Sequence, residues 1–411
     1  MVFAGNESKA EKAMKLQSKA VHAGDRKRSR DPEAWTPVTT PIHTATSYIY
    51  NDMDTLDRVF NRELPGQSYS RYNNPTNDAL EELITELEGG AGSLACSSGM
   101  AALHMAINTA LIDRRRVVLA AKLLYGATLG MLMKVFEPSG IQVEFADFDD
   151  ENAVEAAIAE HKPAAIVMET IANPLLRVPA LDRIAKLARD SGATLVVDNT
   201  FATPLMVRPL ELGASLVVHS LTKYLSGHGD VLGGVVVADS EQIECLRTLS
   251  RTLGMTLGPF ESYLAMRGVK TFPVRMERQC SNACKVASWL ASHPAVERVF
   301  FPADPQHPDA ANIKRLFAPA LYGGMVTFEV KGADRARIFE MMNALKMIVP
   351  ATSLGDVHTM MLYPAMSSHR DLSPKHRARL GLGDNLVRLS VGIEAPEDII
   401  ADLDQALAEK R

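Results

Sequence analysis

The stretch SLVVHSLTKYLSGHGD, Ser215 to Asp230, sets a single lysine just past a run of apolar residues. The run is short and continuous, the pattern of a strand buried on both faces. Ser220 and Thr222 flank Lys223, and the GHGD that follows permits tight backbone turns. A lysine held at a partly dry strand end favours its neutral form and becomes a nucleophile for carbonyls. An exposed loop lysine could have the same local sequence, so the rest of the chain must supply the context.

Runs of the same kind recur: VVLAA (117–121), AAIVME (164–169), TLVVDN (194–199) and GVVVAD (234–239). Helical stretches lie between several of them. PALDRIAKLARDSG (179–192) has Pro at its start and Gly at its end. NPTNDALEELITELEGG reads as a helix with Asn77 as its cap, an apolar face of Leu80, Leu83, Ile84 and Leu87, and Gly89 as its stop. SLACSSGMAALHMAINTAL reads as a strand, a Ser-Ser-Gly turn and a helix beginning near Met100. Buried strands alternating with helices predict an α/β domain with a mostly parallel sheet covered on both faces. Near 267–273 the rhythm changes. A long helix is expected over about 274–292, then the strand GGMVTFEV (323–330), a helix around 334–345 and the strand NLVRLSVGIE (385–394). These predict a smaller C-terminal α+β domain with an antiparallel sheet. The expected organisation is an arm over 1–72, an α/β domain over 73–273 and the α+β domain over 274–411. The opening residues, through Gly24, read as a short helix or a loose arm, with the arm the expectation.

The totals narrow the class. With 46% hydrophobic and 23% charged residues, the 411-residue chain has the composition of a soluble globular protein of two or three domains. A net charge of -5 supplies no basic excess for nucleic acid or an anionic membrane. There is no run long and apolar enough for a bilayer, and the N-terminus lacks a secretory apolar core. Cys96, Cys245, Cys280 and Cys284 are scattered, which argues against a disulfide framework. Cys280 and Cys284 share a helix face but no second ligand pair follows, so no metal site is expected. A reduced, cytoplasmic setting fits this usage.

In open α/β sheets, ligands sit at the carboxyl ends of the strands. Three features fall there. Ser98-Gly99-Met100 opens a helix whose backbone N–H groups suit a phosphate, though a plain helix cap reads the same. Asp198 closes LVVD, where a carboxylate needs a partner; a cap or a loop ion pair would also provide one. Lys223 is the third. Together they match the needs of pyridoxal phosphate (PLP): a lysine for the Schiff base, a carboxylate for the pyridine nitrogen and a turn for the phosphate. No G-x-x-x-x-G-K-[ST] loop is present, and SGHGDVLGG breaks the dinucleotide spacing.

At this point SLTKYLSGHGDVLGG resembles the cofactor-lysine motif of the Cys/Met-metabolism (trans-sulfuration) family of PLP-dependent enzymes. The likeness extends from about His22 through YSRYNNPT (69–76), SSGMAA (97–102), LYGAT (124–128), ETIANP (169–174), VVDNTFATP (196–204), RGVKTF (267–272), TSLGD (352–356) and RLSVGIE (388–394). It implies PLP fold type I, the aspartate-aminotransferase-like architecture. It also implies roles. Lys223 would bind the cofactor and move protons, and Asp198 would pair with the pyridinium. Ser98, Gly99, Met100, Ser220 and Thr222 would cradle the phosphate. Tyr125 would stack on the ring and act as an acid/base, and Asn173 would lie near the ring hydroxyl. Arg388, helped by Ser353, would grip the substrate α-carboxylate. Tyr69 and Arg71 would reach the phosphate of a neighbouring subunit, which implies a catalytic dimer and a homotetramer.

Three positions bear on the reaction. Cystathionine enzymes of the family carry an arginine where this chain has Gly130 and a glutamate where it has Thr352. Losing the partner of a buried distal carboxylate costs about 2–5 kcal/mol, which disfavours cystathionine and succinyl esters. Ala127 stands where methionine γ-lyases usually carry cysteine, a change worth about 1–3 kcal/mol of discrimination. The stretch SSHRDLSPKHRARLGLGDNLVRLSVG (367–392) resembles homoserine-ester sulfhydrylases. The leading expectation is methionine γ-lyase chemistry, giving 2-oxobutanoate, ammonia and methanethiol. Alternatives are O-acylhomoserine sulfhydrylase, cystathionine γ-synthase or γ-lyase, and a catalytically idle scaffold relative. An aminotransferase is disfavoured by YSRYNNPT and TSLGD.

Overall fold

A computed structural model describes residues 14–25, 35–367, 370, 377 and 381–408. Among the described residues, two sheets carry the fold. The larger contains β1 (Gly92–Cys96), β2 (Val117–Ala121), β3 (Gln142–Ala146), β4 (Ala165–Glu169), β5 (Thr194–Asp198), β6 (Leu216–Ser220) and β7 (Gly234–Ala238). Their order is β1-β7-β6-β5-β4-β2-β3. β7 runs antiparallel to both neighbours, while β2 to β6 pair in parallel. The central strands are apolar throughout because helices cover both faces: every residue of β4 and β7 is buried. β3 escaped the sequence reading because it is an edge strand. Its alternating QVEFA turns Gln142 to solvent, so no continuous apolar run marks it.

The helix Pro75–Glu88 seals one face with Leu80, Leu83, Ile84 and Leu87, each fully buried, and ends at Gly89 in the left-handed conformation. Its cap is Asn74 rather than Asn77. Asn74 accepts from the Thr76 backbone N–H at 3.0 Å, with Pro75 at the first helical position, where a missing N–H costs nothing. Asn77 lies inside the first turn. There it donates to the Leu257 carbonyl at 2.8 Å and accepts from Ser262 Oγ at 2.7 Å. The chain start also differs from a loose arm. Leu16–His22 is helical, buries Ala20, and is tied to the helix Pro75–Glu88 by Lys19–Glu86 at 2.8 Å. Residues 1–13 and 26–34 of the expected arm lie outside the described residues.

The smaller sheet holds β8 (Val296–Phe300), β9 (Met325–Val330), β10 (Val349–Pro350), β11 (Met360–Leu362) and β12 (Leu386–Ser390), ordered β10-β11-β12-β9-β8. It is antiparallel except for β10 and β11, which pair in parallel. The expectation of a wholly antiparallel sheet is corrected by that two-residue pairing, too short for any sequence period to reveal.

One helix joins the two cores. Phe272–Ser292 is 21 residues long, about 30 Å at the α-helical rise. Its first half sends Phe272, Met276 and Cys280 into the core around the large sheet. Its second half sends Ala283, Val286 and Leu290 into the core of the small one. Near its start, Arg275 reaches the loop after β6. Its Nη1 donates to the Tyr224 carbonyl at 2.9 Å, and its Nη2 to the carbonyls of Leu225 at 3.0 Å and Gly268 at 2.9 Å. Gly227, at φ +69°, passes so close that any Cβ there would overlap the guanidinium.

Arg275→Met should keep the stem but leave three carbonyls without their charged donor. Urea unfolding is expected to show a loss of about 3–5 kcal/mol, several times the cost of an exposed arginine replacement.

Candidate functional site

The carboxyl ends of β4, β5 and β6 place Glu169, Asp198 and Ser220 side by side, with Glu169 opposite Asp198 in the ladder. Beyond β6 the chain turns back through Lys223 before β7 begins at Gly234. Thr222 Oγ1 closes this loop by accepting from the Gly233 N–H at 3.1 Å. Ser98 caps the helix Gly99–Leu111 through the Ala101 N–H at 3.0 Å. Gly99, the first helical residue, lies against Ser220: a Cβ there would come within 2.8 Å of Ser220 Cβ. The helix start and the Ser220 hydroxyl are thus neighbours, in the arrangement that an anion requires.

Lys223 Nζ donates to Ser353 Oγ at 3.0 Å. Burial pushes the ammonium down to about 8, with the positive charge of Arg388 adding to the effect. Ser353 arrives on the TSLGD turn. That turn is pinned by Gly355 N–H to Ser390 Oγ at 2.8 Å, and by Gln279 Nε2 to the Asp356 carbonyl at 2.7 Å. β12 supplies Arg388, 4% exposed, on the same face as Ser390. Its Nη1 donates to Asn173 Oδ1 at 2.7 Å, and its Cζ lies 5.9 Å from the centre of the Phe201 ring. Its Nε has no partner among the described residues. Burial lowers this arginine to about 10, so it stays charged at neutral pH. A buried guanidinium with an unused N–H is the donor set that a carboxylate would satisfy.

Glu169 escaped the sequence reading, although AIVME closes on a carboxylate as LVVD does. It accepts from the backbone N–H of Tyr125 at 2.6 Å and of Asn173 at 3.1 Å. It therefore fixes Tyr125 at the start of Gly126–Met131 and Asn173 beneath Arg388. Burial raises both Glu169 and Asp198, and for Glu169 the Asp198 charge adds to it. Asp198 accepts from the Thr200 N–H at 3.0 Å. A cationic ring nitrogen is the partner that would hold its negative charge there. Tyr125 is 42% exposed and open to a ligand.

Not every anticipated residue joins this group. Tyr69 and Arg71 are separate from it: Arg71 donates to the Arg251 carbonyl and lies over Tyr69 and Tyr72 at 5.5 and 4.9 Å. Part of the stretch 367–392 (368–369, 371–376 and 378–380) lies outside the described residues. The residues present fit pyridoxal phosphate. The fit rests on the Ser220–Gly99 cradle, the amine lowered by burial and the raised carboxyl at a strand end.

Comparison with known proteins agrees. The family model described as Cys/Met metabolism PLP-dependent enzyme matches residues 17–408. L-methionine gamma-lyase of Fusobacterium nucleatum subsp. polymorphum is 40% identical over 395 residues, covering 95% of this chain and 98% of that one. O-succinylhomoserine sulfhydrylase of Pseudomonas aeruginosa is 38% identical over 389 residues, covering 95% and 94%. The crystal structure of cystathionine gamma synthase from Xanthomonas oryzae pv. oryzae in complex with aminoacrylate and cysteine superposes with a TM-score of 0.88 at 34% identity. It covers 96% of this chain and 98% of that one. The architecture is PLP fold type I.

In cofactor-free protein, reductive methylation of Lys223 should rise with a midpoint near pH 8, because the amine reacts only after losing its proton. Peptide mapping across a pH series would read it. A midpoint near the ordinary 10.5 would show that the amine is not held in a dry site.

Proposed function

Since the chain belongs to the Cys/Met-metabolism family of PLP-dependent enzymes, acting on sulfur amino acids, we propose that it catalyses γ-elimination on methionine or a similar uncharged thioether. Methionine and water would give 2-oxobutanoate, ammonia and methanethiol. The observation carrying this choice is what stands at the two positions where cystathionine enzymes of the family carry charge. A Cβ on Gly130 would meet nothing within 4 Å, and Thr352 offers no carboxylate. Neither position can hold the far end of a charged substrate such as cystathionine. The relatives named above divide between elimination and replacement, so thiol addition to an acylhomoserine is the second reading, favoured by Ala127.

Lys223, Asp198, Ser98, Gly99, Met100, Ser220, Thr222, Tyr125 and Asn173 are proposed to hold the cofactor, with Tyr69 and Arg71 completing a neighbouring copy's site in a homotetramer. When bound, pyridoxal phosphate supplies an electron sink for negative charge at the substrate Cα. Arg388 binds the α-carboxylate through the N–H that Asn173 leaves free, and this orients the Cα–H toward Lys223. Lys223, as its neutral amine, takes that proton. Ser353, already bonded to Nζ, keeps the amine aimed as it moves the proton onward. Tyr125, held at the helix start by Glu169, exchanges a proton with the departing sulfur.

Reconstituted protein given L-methionine, L-cystathionine or O-acetyl-L-homoserine, each with and without sulfide, should release 2-oxobutanoate from methionine most readily. Homocysteine from the ester and sulfide, with methionine inert, would establish the second reading instead. Lys223→Ala should abolish turnover while leaving the fold; full activity would sink the mechanism. Arg388→Lys should raise KM roughly 100-fold, since an ammonium cannot replace the planar fork.

A further inference from the structure

On the face of the large sheet opposite Asp198 and Ser220 lies a polar cluster that the reaction above does not use. Glu88, the last residue of Pro75–Glu88, is 0% exposed, and His219 of β6 is 1% exposed. His219 Nε2 lies 2.5 Å from Glu88 Oε1, and the same oxygen accepts from Asn199 Nδ2 at 3.1 Å. A carboxyl acceptor calls for the tautomer with its proton on Nε2. Asn199 Nδ2 also reaches the Val207 carbonyl at 2.9 Å, and its Oδ1 accepts from Thr170 Oγ1 at 2.7 Å. Thr170 follows β4, Asn199 follows β5 and His219 belongs to β6. One helix-end carboxyl thus gathers three adjacent strand ends.

Strand alternation gives this cluster its reach. Asn199 lies between Asp198 and Thr200, and His219 precedes Ser220, so each back-facing anchor adjoins a residue facing the site. The two ends are also cross-tied. Asn199 N–H donates to the Val218 carbonyl at 2.9 Å, and Ser220 N–H to Thr200 Oγ1 at 2.9 Å. Thr200 in turn donates its N–H to Asp198. A shift of β5 against β6 would move Asp198 relative to Ser220. These are the residues assigned to opposite ends of the cofactor. Burying a carboxyl, an imidazole and an amide is costly, and ordinary sheet packing would be met by apolar residues.

We infer that Glu88, through His219 and Asn199, is a positioning residue for the cofactor: it sets the spacing of Asp198 and Ser220 without touching the cofactor itself. This rests on the cofactor-holding roles proposed above. It is independent of which sulfur compound is the substrate, because its readouts need none.

The test compares Glu88→Ala and Glu88→Gln with the unmodified protein. Cofactor affinity is measured by titrating cofactor-free protein with pyridoxal phosphate. Ring orientation is read from near-visible circular dichroism per mole of bound cofactor. Glu88→Ala should weaken binding about tenfold or more, the scale of outer-shell losses at metal sites, and should reduce the dichroic signal. Glu88→Gln, which keeps an acceptor for His219 and Asn199, should recover most of both. Asn199→Ala, which cuts the links of Glu88 to β5 and, through Thr170, to β4 while leaving His219 in place, should repeat the loss and supplies the result if Glu88→Ala does not fold. Variants that melt at lower temperature yet bind with unchanged affinity and dichroism would overturn the inference, leaving a purely structural pair.

Discussion

The site depends on Arg275. The loop carrying Lys223 has carbonyls that must be satisfied away from water, and a single guanidinium satisfies two of them together with that of Gly268. Burial lowers this arginine to about 10, so it remains a cation in neutral solution, and its bonds to carbonyl oxygen carry the strength of charge assistance. It issues from the helix that enters both cores. The Lys223 loop is therefore registered against the small sheet as well as the large one. The same helix sends Gln279 to the TSLGD turn, and the N–H of Val357, the next residue, donates to the Gly227 carbonyl. The amine and its Ser353 partner are thus set by one rigid element.

Electrostatically, the site is assembled from groups that burial makes uncomfortable. Lys223 is pushed toward neutrality, Arg388 is weakened, and burial raises both Glu169 and Asp198. Each shift is a cost to the folded chain. In the proposed roles that cost would fall as ligands arrive: a ring cation for Asp198, a carboxylate for Arg388. Glu169 alone is well provided, with two backbone N–H donors, and it serves the framework by holding Tyr125 and Asn173.

Much of this was legible beforehand. β2, β4, β5, β6 and β7 announced themselves because strands buried on both faces must be apolar throughout. Lys223, Asp198 and Ser98 stood out because they terminate or follow such strands. What escaped notice lacked a local signal. β3 alternates because one of its faces is wet, and β10 has only two residues. Asn77 looked like a cap by type, but Pro75 moved the cap to Asn74.

The sequence by itself determined the α/β class and the ends of the buried strands β4, β5 and β6, which follow from short-range patterns of hydrophobicity and turn residues, and its motifs, by their resemblance to a known family, gave the cofactor chemistry. Tertiary structure alone decided which distant groups meet. Arg388 finds Asn173 across 215 positions, Lys223 finds Ser353 across 130, and Glu88 finds His219 across 131. Such pairings are fixed by sheet order and by the helix that spans both cores, and a buried polar group leaves no periodic trace of where its partner lies.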